Sequence, residues 1–591
     1  MPVRLLALIT AALVLVPAAG ARAAWVPAQT IDGNVVQVGG IDLARDGTGA
    51  VAYLRVDGDG PHVFVSRLFA GAWQPPVRVD PGIAPASDVK VAVGEGNRIA
   101  VAWVSAGNVL GASTPVSNTP APFTAPALIG GPAASSVDVD LGVNDAAYAV
   151  WQQGGDVRAA RLQDAAWTGL AAPVDINPAL EAGTGAMRPR VAVSAEGYAV
   201  VTWGESADLR RVYARRLTGL NLSSYPQQVS QDADGGNADS PDIDIEDDGS
   251  FAWVAYRQDT PTGSHTFSRR LVGSQFEPRS AIDGGVLSSE PRIDMNGKGA
   301  GEAVAQAPDG TVLGSLLDRD VFETTFPVGA GAMPPKPEVA STDRGDLAIA
   351  WRGAGDARGR IKPYRKAFLG DTQLSNPALG PVVDPGVFIG GDRVGDFSVA
   401  FVQEAAGVRA LSVASYDDPP GAPYIGKDQA LKSTTRPEFK WRPGLDLWGE
   451  QSYRVYVDGV PVGQTKGASL VPAVPLKTGR HTWQVEAVDI HGQTSRSRAR
   501  TLKIDATAPA LKVTVSGKRQ RGQTLKIRLS VRDVGGSGLD HTTIDFGDKS
   551  ATTASRTVSH RYRAGKFTLK VVAVDKSGNV ARKEVKLRIK K

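Results

Sequence analysis

Residues 188–205 read RPRVAVSAEGYAVVTWGE. The stretch predicts two short strands joined by a tight turn. The first is Pro189–Ser194, and the turn carries Glu196 and Gly197, where glycine supplies the positive φ that a turn demands. The second strand, Tyr198–Trp203, is almost wholly apolar and ends on a large aromatic. A strand that is apolar on both faces must be covered on both faces.

The unit recurs along the chain. Aligning each turn and marking the position of Trp203 gives Tyr53, Trp103, Trp151, Trp203, Tyr256, Gln306, Trp351 and Phe401, at spacings of 45 to 53 residues. A period of this size with four short strands per unit is the signature of a β-propeller blade. Val, Ile and aromatics broken by Gly and Asp exclude a helical solenoid. Each copy continues with a third strand, such as Val212–Leu217 or Val157–Leu162. An outer strand follows near an aromatic and a proline, as in Trp73–Asp80 and Phe276–Gly284. Proline suits an edge strand, whose outward N–H needs no partner. Trp25–Gly33 matches the outer-strand pattern but has no inner strands before it. The copy ending near Tyr416 has no outer strand after it. The N-terminal strand is therefore expected to complete the blade that contains Phe401. The expected fold is all-β, with an eight-bladed propeller followed by two β-sandwiches. Seven blades are the alternative, because Ala300–Pro308 lacks an aromatic.

The remaining expectations follow from composition. The chain has 591 residues and no cysteine, so it holds no disulfide, zinc-thiolate site or cysteine nucleophile. Residues 1–23 read as a signal peptide: Arg4, the apolar run Leu5–Val16 and the small-x-small site Ala21-Arg22-Ala23. No second hydrophobic segment follows, so a secreted or cell-surface protein without membrane insertion is expected. The domain reading is a propeller at 24–417, a linker at 418–422 and sandwiches at 423–505 and 506–591. The last module holds 20 Lys and Arg against 6 Asp and Glu, a net charge of +14 within a chain of net +5. In it Lys586, Arg588 and Lys590 alternate with apolar residues, which puts one basic strand face in reach of an anionic cell-wall polymer.

Within the propeller, the position of Arg190 carries Lys90, Asp138, Arg190, Asp242, Arg292 and Glu338 in consecutive copies. The alternating signs predict a structural ring of inter-blade ion pairs around the channel, broken at Gly40 and Gly386. His62 and His265 fall in expected loops, where a histidine is usually solvated. Asp232, Asp234 and Asp239 have calcium-like spacing but lack the closing acid of a calcium loop. No metal, cofactor or nucleic-acid partner is expected.

The propeller segment resembles secreted bacterial propellers of the sialidase-like and related repeat families. Ser341-Thr342-Asp343-Arg344-Gly345 matches the first half of the sialidase Asp box, with Leu347-Ala348 in place of its Thr-Trp. The family's Arg-Ile-Pro segment is missing, so its chemistry does not carry over and no catalytic residue is assigned. Residues 423–505 resemble a fibronectin type III or immunoglobulin-like domain through Glu438–Trp441, the hairpin YRVYVDG at Tyr453–Gly459 and Gly479–Trp483. Residues 506–591 resemble a PKD domain. Asp545-Phe546-Gly547-Asp548, Ser559-His560-Arg561-Tyr562 and Ala573–Asn579 match its motifs, with Ile544 and Lys549 as departures. The resemblance implies that His560 is a hydrogen-bonded fold residue. Together these features favour a non-catalytic binding protein for a glycan or an extracellular protein. A glycoside hydrolase or lyase built on the propeller is the alternative.

Overall fold

The structure, a computed structural model, describes residues 24–591 except 144–145, 176, 178, 319, 428 and 554–555. The signal peptide expected at 1–23 lies outside the described residues. Contacts divide the chain into two units: Ala23–Asp418 with Leu447–Gly449, and Pro419–Asp446 with Glu450–Lys591.

The first unit is a β-propeller. Its described residues form eight antiparallel sheets that follow one another along the chain. In the fourth, Arg190–Val193 pairs with Tyr198–Ser206, which pairs with Arg210–Thr218. The turn between the first two strands places Gly197 at φ 81°. The second strands are buried on both faces. In the fourth sheet the consecutive residues Ala199, Val200 and Val201 are all fully covered. So are the marker aromatics Tyr53, Trp103, Trp203, Tyr256, Trp351 and Phe401. Trp203 also donates its indole N–H to Glu205 Oε1 at 3.0 Å.

Closure uses the N-terminal strand. Ala24–Asp32 pairs antiparallel with Val408–Asp417, matching Trp25 to Tyr416, in the sheet that holds Phe397–Ala405 and Val382–Gly391. The two rings meet edge to face, with centroids 5.5 Å apart. The last sheet is thus built from both ends of the unit, with the N-terminal strand as its fourth and outermost strand.

Two sequence alignments are corrected by register. Arg292 pairs with Val304, so the residue after it, Ala305 and not Gln306, holds the position of Trp203. Phe388 pairs with Ala400, so Phe388 and not Gly386 holds the position of Arg190. Both corrected positions lie on the turn side of the β-bulges between Ser289 and Arg292 and between Val382 and Val387, where the pairing is regular, so they are fixed by counting ladder pairs back from the turn.

The second unit holds two sets of sheets. In the first set, Ser452–Val457 and Val460–Thr465 form a hairpin on Asp458 (φ 51°) and Gly459 (φ 80°), the paired positive angles of a type I′ turn. Its core gathers Phe439, Trp441, Tyr453 and Trp483. In the second set, Ala510–Ser516, Thr524–Arg532 and Thr557–Arg561 form one sheet. Leu539–Asp545, Ala551–Thr553, Gly565–Asp575 and Val580–Ile589 form the other. Between them lie Leu525, Ile527, Ile544, Leu569, Val571 and Leu587.

Two stability effects are expected. Trp203→Ala should cost about 3–5 kcal/mol in a urea titration, since it empties a fully packed site and strips Glu205 of its donor. Deleting residues 24–33 should lower the unfolding temperature sharply, because it reopens the last blade; an unchanged temperature would reject strand closure.

Candidate functional site

The innermost strands of all eight sheets line the central channel. Each is an edge strand whose channel-side N–H groups lack a neighbouring strand. Aspartates one blade earlier supply the missing acceptors. Val93 N–H donates to Asp42 at 2.7 Å, Val137 to Asp88 at 3.1 Å and Val191 to Asp138 at 3.1 Å. Val193 donates to Asp140 at 2.6 Å, Ile293 to Asp242 at 3.0 Å, Met295 to Asp244 at 2.5 Å and Ser341 to Asp294 at 2.8 Å. Asp140 and Asp244 use their other oxygen on the N–H of the next residue in their own strand, at 2.8 Å each.

Burial sets the charge state of these acids. It pushes Asp42 up to about 7, Asp140 up to about 6 and Asp294 up to about 7. Asp244 is raised well above the ordinary carboxylate range, by burial first and then by the Asp294 carboxylate.

Two chambers lie along the channel. One chamber, about 200 Å³, is lined by Asp42, Asp140 and Asp244 together with Arg45, Asp247 and Asp343. Arg45 reaches from the first blade to Asp247 of the fifth at 3.1 Å and Asp343 of the seventh at 2.5 Å, which draws a bar across that end. Asp343 is the acid of the partial Asp box, and this ion pair is its use here. The other chamber, about 400 Å³, is lined by Lys90, Arg188, Arg190, Arg292, Lys336, Asp242, Glu290 and Glu338.

The alternating charges of the sequence face this wider chamber or its wall. Arg190 lies 3.7 Å from Asp138 and 3.9 Å from Asp242, and Arg292 lies 3.1 Å from Glu338. Lys90 is not brought to Asp138 in the same way. Its ammonium donates to the Gly39 carbonyl at 2.7 Å and stands 5.7 Å from the centre of the Phe388 ring. It is pushed down to about 8, by burial first and then by the Arg188 guanidinium. Arg188, which the sequence pattern missed, crosses the third blade to reach Asp88 at 3.2 Å and the Val137 carbonyl at 3.0 Å. The break expected at Gly40 and Gly386 is therefore filled on one side by Phe388.

The histidines are not loop residues. His62 and His265 lie in the third strands Gly60–Phe69 and Gly263–Val272 and are buried. His62 meets Asp80 at 3.0 Å and Asp59 at 2.9 Å; His265 meets Asp283 at 2.9 Å and Thr262 at 3.2 Å. Asp80 and Asp283 also accept the next backbone N–H, from Val63 and Thr266. Asp175, Ser230 and Ser375 do the same in other blades. A device repeated at one position in blade after blade is a strand cap. Its sequence signal was present: each histidine has an aspartate 18 residues later.

The acids of the calcium-like loop are held by arginines. Asp232 pairs with Arg211 at 2.6 Å, Asp234 with Arg279, and Asp239 with Arg210 at 2.6 Å and Arg257 at 3.0 Å. In the second unit Asp505, Asp533 and Asp575 place one carboxylate oxygen each within 4.8 Å of the others. They accept N–H bonds from Ser537, Gly538 and Asn579 respectively, which ties this segment together. His560 shares a hydrogen bond with Asp548 at 2.8 Å and stacks on Phe546 with centroids 3.9 Å apart. Lys586, Arg588 and Lys590 are exposed, and Arg588 and Lys586 lie opposite Lys566 and Thr568.

No protein-family model matches the chain, and no curated protein sequence matches it. Solved structures similar to it include several propellers. The Dos1 propeller shares 7% identity over 65% of this chain and 94% of its own, with a TM-score of 0.41. A six-bladed fucose-recognising lectin from Aleuria aurantia shares 11% over 55% and 90%, at 0.33. A Hadza microbial sialidase shares 10% over 54% and 73%, at 0.32. Among the described residues no helix is long and apolar enough to cross a membrane.

Two substitutions test the charge account. Asp244→Ala leaves the Ile245 and Met295 N–H groups without acceptors and should cost about 2–5 kcal/mol. Glu302, in the second strand of the sixth blade, is fully buried with neither oxygen hydrogen-bonded, and burial pushes it up to about 8. The folded state keeps this proton while the unfolded chain loses it at about 4.5. Stability should therefore fall as pH rises between these values, by about 1.4 kcal/mol per pH unit from this group. Glu302→Gln should flatten the decline; an equal slope in both proteins would contradict the assignment.

Proposed function

We propose that the protein is a secreted or cell-surface binding protein whose propeller recognises a glycan or an extracellular protein. The two C-terminal modules act as spacer and anchor, and the strip of Lys586, Arg588 and Lys590 contributes to holding an anionic wall polymer. The observation that carries this reading is the use made of the channel acids. A glycosidase needs one carboxyl free to give a proton and another free to attack or to activate water. Asp42, Asp140, Asp244 and Asp294 converge, but each accepts a backbone N–H of the following blade. Arg45 also bars the channel end on which Asp42, Asp140 and Asp244 open. The wider chamber, with five cations and several acids at its wall, suits recognition of a hydroxyl-rich or charged group through paired hydrogen bonds.

Binding and hydrolysis are tested together, by a glycan array and a glycosidase panel on the chain lacking residues 1–23. The expected result is retention of a defined glycan set without turnover, weakened by Arg188→Gln. Hydrolysis that disappears in Asp294→Asn would replace this reading with the hydrolase.

A further inference from the structure

We propose that the exposed face of the sheet formed by Ala510–Ser516, Thr524–Arg532 and Thr557–Arg561 binds a linear polyanionic polysaccharide, a polymer carrying carboxylates among hydroxyls. The proposal rests on this module alone and is independent of what the propeller binds.

The face follows from strand alternation. Leu525, Ile527 and Leu529 point into the core, so Lys526, Arg528 and Arg532 point out. Register places their neighbours. Lys526 lies between Ser516 and Ser559, and Arg528 lies between Thr514 and Thr557. Lys512 stands opposite Ser530, and Arg561 opposite Thr524, whose hydroxyl accepts from the Arg561 Nε at 3.0 Å. All of these residues are exposed. The result is a flat surface in which these cations alternate with hydroxyls.

Charge complementarity selects the partner. The three strands contain no Asp or Glu. Among the described residues, Lys512, Lys526, Arg528, Arg532 and Arg561 make no salt bridge, whereas many arginines of the propeller do. Like charges set about 7 Å apart along a strand repel one another and hold a standing attraction for a polyanion. The opposite sheet differs in carrying an acid among its cations: Glu584 lies opposite Lys570, while Arg588 lies opposite Lys566. The nature of the uncharged positions narrows the class. The face shows Ser and Thr, which hydrogen-bond sugar hydroxyls. It shows no aromatic on which a nucleic-acid base could stack and no bulky apolar group that could enter a membrane.

The experiment uses the chain lacking residues 1–23 and immobilised polygalacturonate, with neutral dextran and a double-stranded DNA fragment as parallel surfaces. Polygalacturonate should retain the protein at low salt, dextran should not, and high salt should release it. Lys526→Gln/Arg528→Gln/Arg561→Gln should weaken retention about tenfold or more, and Lys586→Gln/Arg588→Gln/Lys590→Gln about threefold or less. Both variants change exposed side chains, so unchanged unfolding temperatures establish that each is folded. Equal losses in the two variants would show that net charge, not this face, is responsible. Full retention by the first variant, or DNA bound as tightly and with the same dependence on these residues, would overturn the proposal.

Discussion

The hydrogen bond from a channel-facing backbone N–H to an aspartate one blade earlier is the contact on which the propeller depends. A ring of sheets leaves every innermost strand with one unpaired edge, and a channel narrow enough to bury that edge makes each unpaired N–H costly. Asp42, Asp88, Asp138, Asp140, Asp242, Asp244 and Asp294 supply acceptors from the first, second, third, fifth and sixth blades. The fourth blade has Ala192 at the level of Asp140, and there Arg190 reaches toward Asp242 instead. Because the bond links neighbours, it ties the innermost strand of one blade to that of the next.

The same contact explains the electrostatics. Carboxylates brought together to cap strands crowd one another, and burial raises their pKa values. Small residues such as Ala92, Ala192 and Ala340 separate some of them, which limits the number of charges at one level. A raised carboxyl in a cavity often marks a catalytic acid. Here the carboxylates of Asp42, Asp140, Asp244 and Asp294 each accept a backbone N–H of the next blade, a structural use for these acids.

Much of this architecture was legible in the sequence. The apolar second strands and their terminal aromatics set the repeat, and the unmatched Trp25–Gly33 pointed to its own partner strand. What could not be read was register across the bulges. Positive φ at Ser136, Ser240, Glu290, Lys336 and Gly386 marks the irregular entry to these innermost strands, whereas Gln306 and Gly386 were misplaced within hairpins whose turn-side pairing is regular. The charge alternation read from spacing brought Arg190 and Arg292 near acids but left Lys90 on a carbonyl and an aromatic ring. The histidines were misplaced for another reason: a strand that opens Gly-Pro-His or Gly-Ser-His looks like a loop until its cap, Asp80 or Asp283, is counted.

Amide hydrogen exchange at Val193 and Val93 tests the central claim most directly. Both N–H groups lie on channel-side edges and should exchange slowly in the wild-type protein, held by Asp140 and Asp42. In Asp140→Ala, Val193 should exchange about tenfold or more faster while Val93 keeps its protection. Fast exchange of both amides in the wild type, or unchanged protection of Val193 in the variant, would show that these carboxylates do not hold the blades together.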